Sequence, residues 1–343
     1  MAKLTMEYSY CVREATPEDK QAVLQIHDNV YDGLDYLQDY YDYFQNSDHV
    51  TPYVYTENDK IIAYVACCRV DNGETAVTRA GRVCPDHHGK HLYSRFKSEI
   101  ETLQKADGIT RRHALIKSAP PSERFLNSYK PVAKKDIYLF EYNRGNVSSK
   151  LKFLASDHSP SAKVIDTIPA DFLSPPYSNY LFPEGRVILD WVPFRLLLAN
   201  VPLFKGRNTV FYTDITTVET ERKREINDEP TQLKTKHAIP HPVQGLLSAS
   251  TVFKAHHDLD LSCNLDVFGT DFRSLRDHII FHLQRIDAIG LEKINLRVYT
   301  MKGVDASPLL DPFLRSLGVE TLTRESTINQ YIEQVIYEKE ING

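Results

Sequence analysis

Three histidines, a lysine and a glycine crowd the stretch Arg82-Val83-Cys84-Pro85-Asp86-His87-His88-Gly89-Lys90-His91-Leu92-Tyr93. Residues of these types suit an anion. Gly89 lacks the Cβ that would hold a phosphate off, and Lys90, His87, His88 and His91 add positive potential around it. The plainest ligand for such a loop is a pyrophosphate. A second group that could do chemistry is Asp32, Asp35 and Tyr36 in the run Tyr31-Asp32-Gly33-Leu34-Asp35-Tyr36-Leu37. Acids attract an amine, and a tyrosine offers a flat apolar wall with one polar handle. The same run also reads as a helix whose Tyr36, Leu37, Tyr40 and Phe44 face the core.

The elements around the first group are those an anion site needs. Thr75, Val77 and Val83 are β-branched, Pro85 cannot continue a ladder, and Tyr93, Phe96, Ile100 and Leu103 recur at helical spacing. A strand therefore empties through a tight basic loop into a helix N-terminus. The first helical turn presents N–H groups with no internal acceptor, and its dipole favours negative charge there.

Composition sets the outer limits. A chain of 343 residues favours two domains. Hydrophobic residues at 42% and charged ones at 25% describe a globular protein. A net charge of -5 gives no chain-wide attraction for nucleic acid or an anionic membrane. No apolar run reaches the length of a membrane span and the N-terminus lacks a signal-peptide core, so the expectation is a cytoplasmic protein. Five cysteines make a poor disulfide framework. No C-x-x-C or H-E-x-x-H pattern occurs, and no metal is expected; His237, His241, His256 and His257 read as solvated loop residues.

Taken in order, Tyr8 to Arg13 is a strand, and Thr16-Pro17-Glu18-Asp19 caps and opens a helix. Tyr53 to Glu57 and Lys60 to Arg69 form a hairpin that leads into the strand before the basic loop. Gly108 closes the following helix, His113 to Ile116 is a strand, Ser122 to Tyr129 a short helix, and Lys135 to Tyr142 a strand. Lys150 to Pro160 reads as linker, Thr217 to Lys236 as an exposed charged loop, and Trp191 as a core residue. Strands at Leu246 to Phe253, Leu259 to Phe268, Lys293 to Tyr299 and Asn329 to Tyr337 alternate with helices capped at Thr270-Asp271 and begun at Ser307.

The order Arg82-Val83-x-Pro85-x-x-His88-Gly89-Lys90-His91-Leu92 resembles the coenzyme A pyrophosphate loop of the GCN5-related N-acetyltransferases, R-V-x-P-x-x-R/Q-x-x-G-x-G/A. His88 stands near the usual Arg or Gln, and His91 where a second small residue is usual. The run from Tyr31 to Leu37 is similar to the Y-x-G-x-D-Y-L segment of the histidine N-acetyltransferase and N-acetyltransferase 16-like branch. The resemblance implies an α/β (α+β) fold, a mostly antiparallel, splayed sheet flanked by helices. It divides the chain into an acetyltransferase domain at 1–146, a linker at 147–164 and a second lobe at 165–343. That second lobe is degenerate, since its turn Val267-Phe268-Gly269-Thr270-Asp271 carries an acid where a pyrophosphate would need a cation.

The resemblance further implies acetyl-CoA as donor, held by Val83, Cys84, His88, Gly89, Lys90, His91, Leu92 and Tyr93, and the amine of a small molecule, histidine or a related amino acid, as acceptor. It places the thioester carbonyl against a backbone N–H near Val83 or Cys84 and a general-acid tyrosine at Tyr129, one turn beyond Phe125. Where many members carry an acid in the fourth strand this chain has Arg79, with Glu74 at the strand's start. Cys84 reads as an inert thiol rather than an acetyl carrier. Two other readings stay open: a non-catalytic binding protein of the same fold, and acetylation of protein lysines or N-termini. The oligomeric state is not legible.

Overall fold

The computed structural model describes residues 9–27, 30, 34–89, 91–116, 121–154, 162–217, 243–255, 260–322 and 333–341. Asp32, Lys90, the charged loop from 218 onward, His237, His241, His256 and His257 lie outside the described residues. The first half runs β1 (Tyr10–Glu14), α1 (Lys20–Leu24), α2 (Leu37–Asn46), β2 (Val50–Glu57), β3 (Lys60–Val70), β4 (Thr75–Val83), α3 (Leu92–Ala106), β5 (Arg111–Ile116), α4 (Glu123–Leu126) and β6 (Lys130–Asn143). Next come α5 (Arg144–Leu154), β7 (Lys163–Ile165), α6 (Tyr177–Leu181), β8 (Arg186–Leu189), β9 (Val192–Arg195), β10 (Val210–Thr213), β11 (Thr216–Thr217) and β12 (Val243–Gln244). The second half closes with β13 (Leu247–Ala255), β14 (Asp260–Phe268), α7 (Leu275–Asp287), β15 (Lys293–Met301), α8 (Ser307–Leu317), β16 (Glu320–Thr321) and β17 (Glu333–Glu340).

One sheet runs through both halves in the order β1-β2-β3-β4-β5-β17-β6-β15-β14-β13-β10-β7, with β16 on β6. At its centre the halves exchange their last strands. The final strand, β17, pairs with β5 and β6, while β6 pairs in turn with β15. Each half thus carries the other's strand beside its own fifth. The expected halves at 1–146 and 165–343 therefore share a sheet. They also share a core, in which Leu37, Tyr40, Tyr41 and Phe44 of α2 pack with Phe194, Phe211 and Phe253 of the second half.

The splay is present in one half and absent from the other. β4 and β5 pair in parallel at three positions, Thr75 with Arg111, Ala76 with Arg112 and Val77 with His113. Beyond Val77 the ladder stops, leaving an opening between the strands. Their counterparts β14 and β15 pair at seven positions, from Asp260 with Lys293 to Asp266 with Tyr299. The second half has its strands zipped where the first half's part.

Two local expectations are corrected. The span 147–164, expected as linker, holds most of α5, because Val147 and Leu151 stand one helical turn apart and bury against Ile279, Leu283 and Leu314 of α7 and α8. The expected helix from Ser122 to Tyr129 contracts to α4, with the Ser122 side chain accepting from the Phe125 N–H, so that Tyr129 lies just before β6. Among the described residues no helix is long and apolar enough to cross a membrane.

Candidate active site

β4 carries a bulge just before the basic loop. Arg79 pairs with Ala66 and Arg82 with Tyr64, so Ala80 and Gly81 together face the single residue between them on β3. Ala80 takes a positive φ of 52°, the left-handed turn that lets a strand bend and re-aim its neighbours. The Tyr36 hydroxyl accepts the Ala80 N–H at 2.8 Å. A glycine inside a strand is the sequence signal for such a bulge, and Gly81 was legible in that sense.

Past Val83 the chain makes one tight turn. Cys84 N–H donates to the Ile62 carbonyl at 2.8 Å, His87 N–H to Cys84 at 2.9 Å and His88 N–H to Pro85 at 3.0 Å. Gly89 follows at φ +75°, and the position of a Cβ on it meets nothing within 4 Å. His91 caps α3 in the left-handed region at φ 56°, and no side chain caps the helix. α3 is fixed by Leu92, Phe96 and Ile100, buried at four-residue spacing against Tyr55, Ile62 and Val65.

These pieces enclose a cleft of about 610 Å³. Gly81, Arg82 and Val83 of β4 form one wall and Leu92, Tyr93 and Ser94 of the first turn of α3 another. His27, His87, His88 and His91 line it as imidazoles, with Gly89 and Val30 between. His27 and His88 stack at 6.1 Å, His88 Nε2 lies 3.3 Å from the Val83 carbonyl, and His87 Nε2 lies 3.2 Å from Glu57. The set suits a pyrophosphate: an uncapped helix N-terminus, a glycine whose open side faces empty space, and imidazoles that can carry charge.

Of the residues expected to hold the donor, Val83, His88, Gly89, His91, Leu92 and Tyr93 line the cleft. Cys84 sits beside it, packed between the cores on either side of the sheet. Its amide is already given to the Ile62 carbonyl, as the Ala80 amide at the bulge is given to the Tyr36 hydroxyl. Tyr129 does not line the cleft; it is 9% exposed and its ring stacks on Phe125 at 4.4 Å, with Tyr337 edge-on to Phe125.

The acceptor residues read from sequence are engaged in the fold. Asp35 receives both terminal nitrogens of Arg82, at 2.8 and 2.9 Å, and the Arg82 side chain is 1% exposed. That fork neutralises Asp35, which therefore does not stand free to attract an amine. Tyr36 has its hydroxyl on Ala80 and its ring 5.2 Å from the Arg79 guanidinium.

Arg79, the residue out of pattern on β4, is the hub of a buried network that reaches into the second half. Asp190 Oδ2 accepts from Arg79 at 3.1 Å and from the Tyr40 hydroxyl at 2.8 Å. Its Oδ1 accepts from Asn264 at 3.0 Å, and its N–H donates to Asp266, which also receives Lys135 at 2.7 Å. Burial raises the Asp266 carboxyl and the Lys135 ammonium acts against it.

A further polar group, Ser248 with His278, His282 and Asp214, resembles a hydrolytic triad. Ser248 Oγ lies 2.7 Å from His278 Nδ1 and 2.8 Å from His282 Nε2, and His278 Nε2 lies 3.2 Å from Asp214. Burial raises the Asp214 carboxyl, but the hydrogen bonds from His278 and from the Leu246 N–H act against it and the group is held low. Ser248, His278 and His282 are all 0% exposed. Sealed from any substrate, the group is a structural relay.

Comparison with known proteins agrees with this geometry. The profile of the family described as "Histidine N-acetyltransferase, C-terminal" matches residues 164–226. The histidine N-acetyltransferase of Oreochromis niloticus is 24% identical over 94% of this chain and 91% of its own length. The human "Probable N-acetyltransferase 16" is 25% identical over 79% of this chain and 71% of its own. Among solved structures, a tandem GNAT protein from the clavulanic acid biosynthesis pathway covers 98% of this chain and 99% of itself at 9% identity, with a TM-score of 0.51. With its parted β4 and β5 and its uncapped loop-helix junction, the chain is similar to the histidine N-acetyltransferases along nearly its whole sequence and shares the fold of a tandem GNAT protein.

Proposed function

We propose that this protein is an N-acetyltransferase that uses acetyl-CoA and acetylates the amine of a small molecule, histidine or a related amino acid. The observation that carries the reading is the cleft between the end of β4, Gly81 to Val83, and the uncapped first turn of α3. The name of the histidine N-acetyltransferases among the relatives supplies the acceptor class.

Acetyl-CoA brings the activated acetyl thioester. The chain's own part is binding, orientation and charge. The amides of Leu92, Tyr93 and Ser94 and the imidazoles of His88 and His91 hold the pyrophosphate, and Gly89 leaves its open side to it. The strand opening beyond Val77 receives the arm that follows the pyrophosphate, and the bulge at Ala80 and Gly81 turns β4 backbone toward the cleft, where a donor is needed as the carbonyl oxygen gains charge. Holding both reactants in one orientation supplies much of the rate.

Thermal shift with acetyl-CoA tests the donor, since a ligand of the native state raises its stability. An amine panel read by release of free thiol tests the reaction. Stabilisation together with thiol release on an amino acid such as histidine supports the reading. Stabilisation without turnover on any amine favours the non-catalytic alternative, and turnover confined to peptides favours protein acetylation.

A further inference from the structure

Tyr93 is the second residue of α3, at the point where the basic turn becomes helix, and its ring reaches back across the cleft to β4. Its hydroxyl rests on Gly81. A Cβ at Gly81 would overlap the Tyr93 hydroxyl oxygen, whereas the Gly81 backbone is not in the left-handed region that would itself demand glycine. Gly81 thus makes room for a phenol on the β4 bulge, and both residues line the cleft. One turn further along α3, Lys97 sets its Nζ 5.5 Å from the centre of the Tyr93 ring. Tyr129, the tyrosine that family position favours, lies outside the lining and is stacked on Phe125.

We propose that Tyr93 is the proton donor to the departing thiolate, and that residue 81 is glycine so that the Tyr93 hydroxyl can reach the β4 bulge. This assignment rests on the acetyltransferase reading above. In the step, the neutral amine nitrogen attacks the thioester carbon, a C–N bond forms, and the C–S bond breaks with its electron pair going to sulfur. The Tyr93 O–H proton passes to sulfur and gives the free thiol. The proton released by the amine nitrogen returns through water to the phenolate, restoring Tyr93. Burial pushes the Tyr93 hydroxyl up to about 12, with Arg112 pulling the other way, so the proton is in place at neutral pH. Burial, then Arg112 and Lys339, push the Lys97 ammonium down to about 8, which leaves it mostly charged at pH 7 above the ring that becomes a phenolate.

The test compares the full-length wild type with Tyr93→Phe, Gly81→Ala and Tyr129→Phe, measuring kcat and KM for acetyl-CoA by thiol release, with melting temperature as control. Tyr93→Phe is expected to lower kcat by roughly 100-fold or more, the range for loss of a general acid, with KM for acetyl-CoA and melting temperature close to wild type. Gly81→Ala, which drives the hydroxyl off the bulge, is expected to lower kcat in the same direction, and it carries the test if Tyr93→Phe does not fold. Wild-type kcat in Tyr93→Phe, a loss confined to KM, or a larger kcat loss in Tyr129→Phe overturns the assignment. A wild type that neither binds acetyl-CoA nor releases thiol sinks the acetyltransferase reading and this assignment with it. An active wild type beside an equally active Tyr93→Phe sinks the assignment alone.

Discussion

The Arg79 guanidinium on β4 and the Asp190 carboxylate in the turn between β8 and β9, 111 residues apart in the chain, meet at 3.1 Å with both side chains almost wholly buried. Arg79 also lies 5.2 Å from the ring of Tyr36, whose hydroxyl holds the Ala80 amide at the bulge. The second half of the chain thereby grips the strand that walls the cleft. Removing one partner of such a pair strands a buried charge, which costs about 3–5 kcal/mol. Asp190→Ala is expected to lower the urea midpoint by a corresponding amount, and a variant as stable as wild type would show that the pair holds nothing in place.

Asp35 makes a sharper case, because sequence reading places it in the acceptor site and the structure pairs it with Arg82. Asp35→Ala is expected to lose about 3 kcal/mol of stability by leaving the Arg82 charge unpaired. Arg82→Met added to it is expected to recover part of that loss, since the pair is then gone rather than broken. Equal stability in Asp35→Ala, with a raised KM for the amine, would return Asp35 to the acceptor site. Denaturant titration of the four members of this double-mutant cycle decides.

Gly89 combines a positive φ of 75° with open space around its missing Cβ. Gly89→Ala therefore costs about 1–2 kcal/mol of backbone strain without any clash within the protein. Gly89→Glu adds a carboxylate where the pyrophosphate is proposed to sit, and thermal shift by acetyl-CoA is expected to vanish in it. A full shift in Gly89→Glu would mean that the loop does not carry the phosphates.

Acid is expected to attack the second half through His282. With Asp214 ionised, the His278 Nε2–H donates a hydrogen bond to the Asp214 carboxylate and His278 Nδ1 accepts from the Ser248 hydroxyl, which accepts in turn from the His282 Nε2–H. His282 Nδ1 is buried with no hydrogen-bond partner, so a proton added there would find no acceptor. Burial, then the neighbouring His278 and Arg285, hold the His282 imidazole well below its usual value. The unfolded chain takes up that proton below pH about 6.5 and the fold does not, so stability is full above this pH and falls by up to about 1.4 kcal/mol per pH unit beneath it. His282→Gln is expected to flatten that slope in melts between pH 7 and pH 5, and an unchanged slope would place the acid sensitivity elsewhere.

What the sequence displayed were the features that act over a few residues. β-branched Thr75, Val77 and Val83, the break at Pro85 and the four-residue spacing of Leu92, Phe96 and Ile100 mark strand, turn and helix, and the structure realises all three. The engagement of Asp35 and Arg79 was hidden because their partners, Arg82 and Asp190, are chosen by packing and not by spacing. The stretch from Lys150 to Pro160 reads as linker from its Ser, Asp and Lys, and only two residues of α5, Val147 and Leu151, bury to hold the helix in place. The acid at Asp271 is visible in the sequence, whereas the unbroken ladder between β14 and β15 depends on strand pairing and leaves no mark on either strand alone.

The crossing of β17 and β6 ties the cleft to the far end of the polypeptide. While the protein is being synthesised, β5 and β6 leave the ribosome with the place between them vacant, exposing two unpaired strand edges of the kind that invite aggregation. That place fills only when the residues from Glu333 onward emerge. A premature stop codon after α8 would therefore leave the gap between β5 and β6 unfilled, although it deletes none of the residues that line the cleft.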